Sequence, residues 1–408
     1  MENYIAELMT LAQTCDCGNH HHPIPIERIK IGNSDYKELA AYVECKGFKH
    51  AVIIADENTY QAAGKSLSEI LKETGINISL SIIKPDENND VVADEQSLVQ
   101  ALLDIPLDTE IIIAVGAGTL HDIARFCSTK MKLPFISVPT APSVDGFTSM
   151  GAPLIVKGVK TTFQMSAPIA VFADLSVLKA SPRKMVAAGF GDMLAKFTSL
   201  ADWKFGHLVM GEPYCPLVAA ITREALDSCV EKVNLIAAAD EEGIQILIES
   251  LIKSGLAMLI FGQSHPASGG EHHLSHYWEM DFLKRKRSAV LHGAKVGVST
   301  VLLAEVYKEQ FLPLLSESIR LGSIQDSLIN EDLQDNIKEI MKVYQEIPAP
   351  EHLKNLLTAT GGEIMPEQLG IDEQLVAASL SGAHTLRNRY TALKFMNVAV
   401  ESSPLLRR

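Results

Sequence analysis

The chain has 408 residues, a length that exceeds one typical core and predicts two domains. A hydrophobic content of 47% excludes a disordered chain, and a net charge of −14 excludes the basic footprint of a nucleic-acid-binding protein. Six cysteines are too few for a disulfide scaffold, and no apolar run approaches the roughly 20 residues of a membrane span, so a reduced, cytoplasmic chain with no membrane partner is expected.

The opening "MENYIAELMTLAQ" lacks the basic and apolar regions of a signal peptide. "CDCGNHHHP" (Cys15 to Pro23) looks like a soft-metal cluster, but Cys-x-Cys is not the Cys-x-x-Cys spacing of common zinc sites, which favours an N-terminal arm that packs or frays. Five short Ile- and Val-rich runs then read as strands: His50–Asp56, Ile78–Lys84, Glu110–Gly116, Pro134–Thr140 and Ile169–Leu175. Helical stretches such as "TYQAAGKSLSEILKETG" separate them, which predicts a parallel sheet built from βαβ units. "MGAPLIVKGVKTTFQM" breaks the alternation and reads as a hairpin turning at Lys157-Gly158. Ala180 to Gly191, with Pro182, Gly189 and Gly191, suits a connection. Beyond it, "YCPLVAAITREALDSCVEKVNLIAA" and "EEGIQILIESLIKSGLAMLIFG" carry apolar residues at helical spacing. The expected architecture is an α/β Rossmann-like domain over residues 1–182 and an all-α domain over 183–408, with a ligand cleft between them.

Four stretches carry candidate chemistry. In "AVGAGTLHDIARF" a strand runs through Gly116-Ala117-Gly118-Thr119 into a helix, which is either a phosphate-binding turn or a plain tight turn. It lacks the third glycine of the dinucleotide fingerprint and the Lys of a P-loop. "SVPTAPSVDGFTSMG" crowds Thr140, Ser143, Asp145, Thr148 and Ser149 beyond a strand end, where open α/β sheets bind ligands. Asp56 closes a strand and suits either a ribose contact or a helix cap. In "GGEHHLSHYWEM", His272 and His276 share a helix face; taken singly such histidines are plain polar residues, but taken with His292 ("LHGAKVG") and Asp192 ("GFGDML"), an aspartate and two histidines can form a three-ligand metal site with open positions. The run Lys284-Arg285-Lys286-Arg287 is the nearest anion attractor to that site in the sequence.

Taken together, "AVGAGTLHD", "SVPTAPSVDGFTS", "GFGDMLAK", "GGEHHLSHYWEM" and "LHGAKVGV" resemble the sn-glycerol-1-phosphate dehydrogenases, in the wider iron-dependent alcohol dehydrogenase, glycerol dehydrogenase and dehydroquinate synthase superfamily. The resemblance covers most of the chain and is strongest to the bacterial branch. It implies a dehydroquinate synthase-like fold and a homodimer. It also implies reversible NAD- or NADP-dependent reduction of dihydroxyacetone phosphate to sn-glycerol 1-phosphate, with one divalent metal, nickel ahead of zinc. Position by position, it implies that Asp192, His272 and His292 hold the metal. Gly116, Ala117, Gly118, Thr119, Leu120 and Asp122 embrace the cofactor pyrophosphate, Thr140, Ser143 and Ser149 meet its nicotinamide half, and Asp56 meets its ribose. Asp145 and His276 act on the substrate beside Asp192. Ala117 departs from a common triple glycine, which matters if that position needs positive φ. Oxidation of glycerol or another polyol, or metal-dependent hydrolysis, are the alternative chemistries.

Overall fold

The computed structural model describes residues 1–33, 36–321 and 331–402. Its strands are β1 (Arg28–Gly32), β2 (His50–Ala55), β3 (Asn77–Ile82), β4 (Ile111–Gly116), β5 (Phe135–Pro139), β6 (Gly151–Val156), β7 (Val159–Gln164) and β8 (Ala170–Asp174). Six form one sheet in the order β1-β8-β5-β4-β2-β3, parallel throughout. The continuous apolar runs explain this. In β2 and β4, Ile53, Ile111, Ile113 and Val115 pack on one face, and Val52, Ile54, Ile112 and Ala114 pack on the other. A strand buried on both faces needs a helix layer on each side, as a parallel sheet provides.

β6 and β7 form the expected antiparallel hairpin, turning at Lys157 and Gly158, both at positive φ (53° and 73°). From residue 183 the described chain is helical, around a core that includes Leu251, Ile252, Leu274, Trp278 and Phe311. The Glu241–Phe261 helix is long and apolar enough to cross a membrane, but most of it lies buried in this core. The N-terminal helix Glu2–Thr14 contributes Leu8 and Ala12 to the same core.

Two features differ from the sequence expectation. β1 was not among the expected strands: "RIKIG" is short and alternates polar with apolar residues, and it pairs only at an edge, with β8. Residues 180–191 are not simply a connection, because Arg183–Leu194 is a helix that begins after Pro182. Its glycines serve close packing. A methyl at Gly189 would overlap the Pro142 carbonyl, one at Gly191 the Gly293 carbonyl, and one at Gly293 the Ala188 carbonyl. The helix therefore seats backbone against backbone, on the loop after β5 and on the His292–Val306 helix.

Candidate active site and metal centre

A cavity of about 470 Å³ lies beyond the carboxyl ends of β4 and β5, walled by loops of the α/β half and helices of the other half. Its size suits a small molecule with a cofactor portion. On the sheet side, Ala117, Gly118, Thr119, Asp122, Ser143, Asp145 and Ser149 line it. The sheet order reverses between β2 and β4, the crevice where doubly wound folds bind dinucleotides.

The Gly118–Met131 helix starts at the cavity with Ala117 as its N-cap residue. Ala117 has φ −93°, so the methyl that replaces a third glycine costs no backbone strain. His121 braces this turn. Burial drives its pKa down to about 3, so the ring is neutral; Nδ1 donates to the Ala117 carbonyl (2.9 Å) and Nε2 accepts from the Ser137 hydroxyl (2.8 Å). Asp122 accepts from Arg125 (2.7 Å), whose buried guanidinium also donates to the carbonyls of Gly151 and Gly146 (3.1 and 2.6 Å). One ion pair thereby fixes the loop after β5 to the start of the hairpin.

Three expected cofactor residues stand back from the cavity. Gly116 is covered by Leu120, whose side chain is buried against it, and Thr140 donates its backbone N–H to the Gly116 carbonyl (3.0 Å). These three shape the turn without lining the cavity. Asp56 caps the short helix Glu57–Thr59, accepting from the Thr59 N–H at 2.8 Å, and it also lies outside the cavity lining.

On the helical side, Asp192, His272 and His292 converge, with one ligand atom from each lying within 4.8 Å of the others. His272 Nε2 is 3.7 Å from Asp192 Oδ1. Asp192 Oδ1 and His292 Nδ1 are buried without a hydrogen-bond partner, a costly arrangement unless a cation takes them up. The surroundings prepare the set. Burial, with help from Lys196 and Arg387, holds His272 well below the usual histidine range, and burial does the same for His292, so both rings offer lone pairs. His272 Nδ1 donates to buried Glu271 (2.8 Å), the carboxylate–histidine support common behind metal-bound imidazoles. Asp192 accepts from the Asp145 N–H (2.9 Å), and burial followed by the Asp145 charge raises it to about 7. Buried Lys196 joins Asp145 (2.7 Å) to Asp192 (3.7 Å). Asp145 is further fixed by the Ser254 hydroxyl (2.8 Å). A carboxylate and two neutral imidazoles with polar support fit a divalent ion and leave coordination positions open.

His276 lies one turn from His272, with ring centroids 6.5 Å apart, and 6.0 Å from His292. Arg387 donates to His276 Nε2 at 3.0 Å. A guanidinium has no acceptor, so His276 carries its ring proton on Nδ1.

Sequence reasoning missed the cations of this cavity. Lys160 on β7 and Lys295 on the His292–Val306 helix both grip Glu279 (2.7 and 3.0 Å), and Arg387 arrives from near the C-terminus. Burial pulls Glu279 upward, but the two lysines hold it well below the usual carboxylate range. Three cations against one carboxylate leave this wall positive. The run Lys284–Arg287 is instead exposed: Arg285 pairs with Asp281, and only Arg287 reaches the cavity, tied to the Gly370 carbonyl (2.8 Å) and stacked on Phe282 (4.0 Å). The Glu279 cluster could have been suspected only from Lys160 and Lys295, charged residues inside otherwise structural elements.

Residues 30–182 match the family model of iron-containing alcohol dehydrogenases. A glycerol-1-phosphate dehydrogenase NAD(P)+ from Geobacillus stearothermophilus is 52% identical over 97% of this chain and 98% of its own length. The enzymes of the same name from Bacillus subtilis and Pyrococcus furiosus are 45% and 31% identical, over 94% and 89% of this chain and 94% and 91% of their own lengths. Among solved structures, glycerol dehydrogenase from Schizosaccharomyces pombe shares the fold, with a TM-score of 0.65 at 18% identity over 91% of this chain and 85% of that one. Identity of this extent, spanning both the sheet and the helices that build the cavity, means that the chain belongs to the glycerol-1-phosphate dehydrogenase family.

Proposed function

We propose that the protein reduces dihydroxyacetone phosphate to sn-glycerol 1-phosphate, reversibly, with NADH or NADPH. The observation that carries this reading is the juxtaposition of a metal-ligand triad with a positive wall of Lys160, Lys295 and Arg387 in one cavity. A glycerol or polyol dehydrogenase has no use for those cavity-lining cations, whereas a phosphate dianion does.

Asp192, His272 and His292 would hold the divalent ion, and the turn at Ala117–Thr119 with Ser143 and Ser149 would receive the cofactor. When bound, the ion supplies Lewis-acid polarisation of a carbonyl and the reduced nicotinamide supplies hydride. The chain's own residues do the rest. Lys160, Lys295 and Arg387 bind the phosphate and so fix the orientation of the ketone carbon. Asp145, neutralised by Lys196, is a rigid acceptor for a substrate hydroxyl. His276, with its proton on Nδ1 and Arg387 on Nε2, orients a proton donor among largely buried side chains. Asp56 serves the ribose through the carboxylate oxygen that its cap leaves unused.

The nitrogen and oxygen donors suit nickel, zinc or iron, and the resemblance to the bacterial branch favours nickel, then zinc. The same resemblance supports a homodimer, and six free cysteines suit a reducing cytoplasm. The division of labour runs at about residue 182, with cofactor on the sheet side and metal on the helical side. The test strips the protein with chelator, adds back nickel, zinc or iron singly, and follows NADH and NADPH loss with dihydroxyacetone phosphate. Restored turnover with this substrate, and not with dihydroxyacetone, is the expected result. Turnover of the unphosphorylated ketone or of glycerol at equal or better efficiency would replace this reading with the polyol one.

A further inference from the structure

The N-terminal arm plays no part in the chemistry above. After the Glu2–Thr14 helix the chain turns through Gly18, at φ +76°, and is pinned where the His22 N–H donates to the Ile260 carbonyl (2.8 Å). This course folds Cys15, Cys17 and His21 onto Cys215, the buried residue that precedes the Pro216–Glu231 helix. One ligand atom from each of the four lies within 4.8 Å of the others.

We propose that Cys15, Cys17, His21 and Cys215 bind a structural zinc ion. Zinc–sulfur bonds of about 2.3 Å and zinc–nitrogen bonds of about 2.0–2.1 Å place tetrahedral neighbours ~3.8 Å apart for sulfur pairs and ~3.6 Å apart for sulfur–nitrogen pairs. The observed separations are 3.7 Å for Cys15–Cys215, 3.6 Å for Cys17–His21 and 3.2 Å for His21–Cys215. The thiols are free, and 3.7 Å is far beyond the roughly 2 Å of a disulfide bond. Asn19 supplies the outer support: its Nδ2 donates to Cys17 Sγ (3.3 Å) and to the Tyr214 carbonyl (2.8 Å), tying the two ligand-bearing strands of chain together.

Four protein ligands complete a tetrahedron and leave no position for substrate, so the ion has a structural role. Three soft thiolates set the site apart from the nitrogen and oxygen donors of the Asp192 cluster and select zinc over harder ions. The Cys-x-Cys spacing works because the chelate is not local. Its fourth ligand is 200 residues from Cys15, so the ion cross-links the N-terminal helix to the core of the helical half.

The test uses the full-length protein, purified under reducing conditions and substituted with cobalt. Thiolate-to-cobalt charge-transfer absorption that is lost in Cys17→Ser distinguishes this site from the Asp192 cluster, which contains no sulfur. The expected result is that absorption in the parent, about two divalent ions per chain, and about one in Cys17→Ser and His21→Ala. Both variants should keep turnover at room temperature and melt earlier than the parent. Absence of the thiolate signal in the cobalt protein, or a Cys15–Cys215 disulfide in peptide maps of the freshly isolated chain, would overturn the proposal. Either outcome leaves the reading of the catalytic cavity untouched.

Discussion

Lys160 is the residue on which the phosphate reading can be tested most cleanly. It stands on the hairpin rather than on a helix that carries the Asp192 cluster, and it shares Glu279 with Lys295. Lys160→Ala therefore leaves Glu279 paired. It should raise KM for dihydroxyacetone phosphate by about 10- to 100-fold, the worth of one charge-assisted contact, with NADH affinity unchanged in a fluorescence titration. His272→Ala and His292→Ala should each lose the ion of the Asp192 cluster, leaving about one of two ions per chain, and abolish turnover while circular dichroism stays at the parent's; the parent's metal content in either would remove that residue from the ligand set. His121 carries a prediction about pH. Its folded pKa is about 3, against 6.5 for the free side chain, so the unfolded chain takes up a proton below 6.5 that the folded chain refuses. Its contribution to stability is thus intact above that value and is lost as pH falls. His121→Gln should retain about 2–3 kcal/mol more of its neutral-pH stability than the parent at about pH 4.5, measured by urea unfolding at both pH values. The convergence of Asp192, His272 and His292 was legible in the sequence because glycine-flanked polar residues stand out in an apolar domain. The Lys160–Glu279 pair was not, because its partners lie 119 residues apart and neither has a local pattern.

At the scale of elements, the strand runs were readable from composition, and the structure moved their ends by only a residue or two. The Lys157-Gly158 turn was readable from its residue types. The Arg183–Leu194 helix was misread because glycines usually punctuate, and only three dimensions reveal that Gly189 and Gly191 face other backbones. That helix carries Asp192, and Gly293 stands next to His292. Gly191→Ala should therefore cost about 1–3 kcal/mol in urea unfolding through overpacking and weaken metal retention during dialysis against chelator. A variant that keeps the parent's stability would show that the helix pair can separate without penalty. Asp56 shows the opposite limit: its residue type allowed both a cap and a ribose contact, and the structure shows the cap made by one carboxylate oxygen, which leaves the other open to a ribose.

At the scale of the whole molecule, a net charge of −14 surrounds a cavity whose inner wall is positive. On the proposed reading the long-range field would repel a phosphorylated substrate, while the short-range contacts would hold it. Salt screens exposed, distant charges more than buried, close ones. Between about 10 and 150 mM sodium chloride, kcat/KM for dihydroxyacetone phosphate should hold steady or rise, and a tenfold fall would mean that exposed lysines and arginines steer the substrate instead. The seam formed by Gly189, Gly191 and Gly293 bears on how such an enzyme diversifies. Because main chain rather than side chain sets the spacing between Asp192 and His292, replacements on the hairpin would leave that spacing unchanged. If the Asp192 cluster holds the ion and the hairpin meets the substrate, descendants with new substrates would arise by exchanging hairpin residues such as Lys160 while the spacing of the metal ligands is inherited intact.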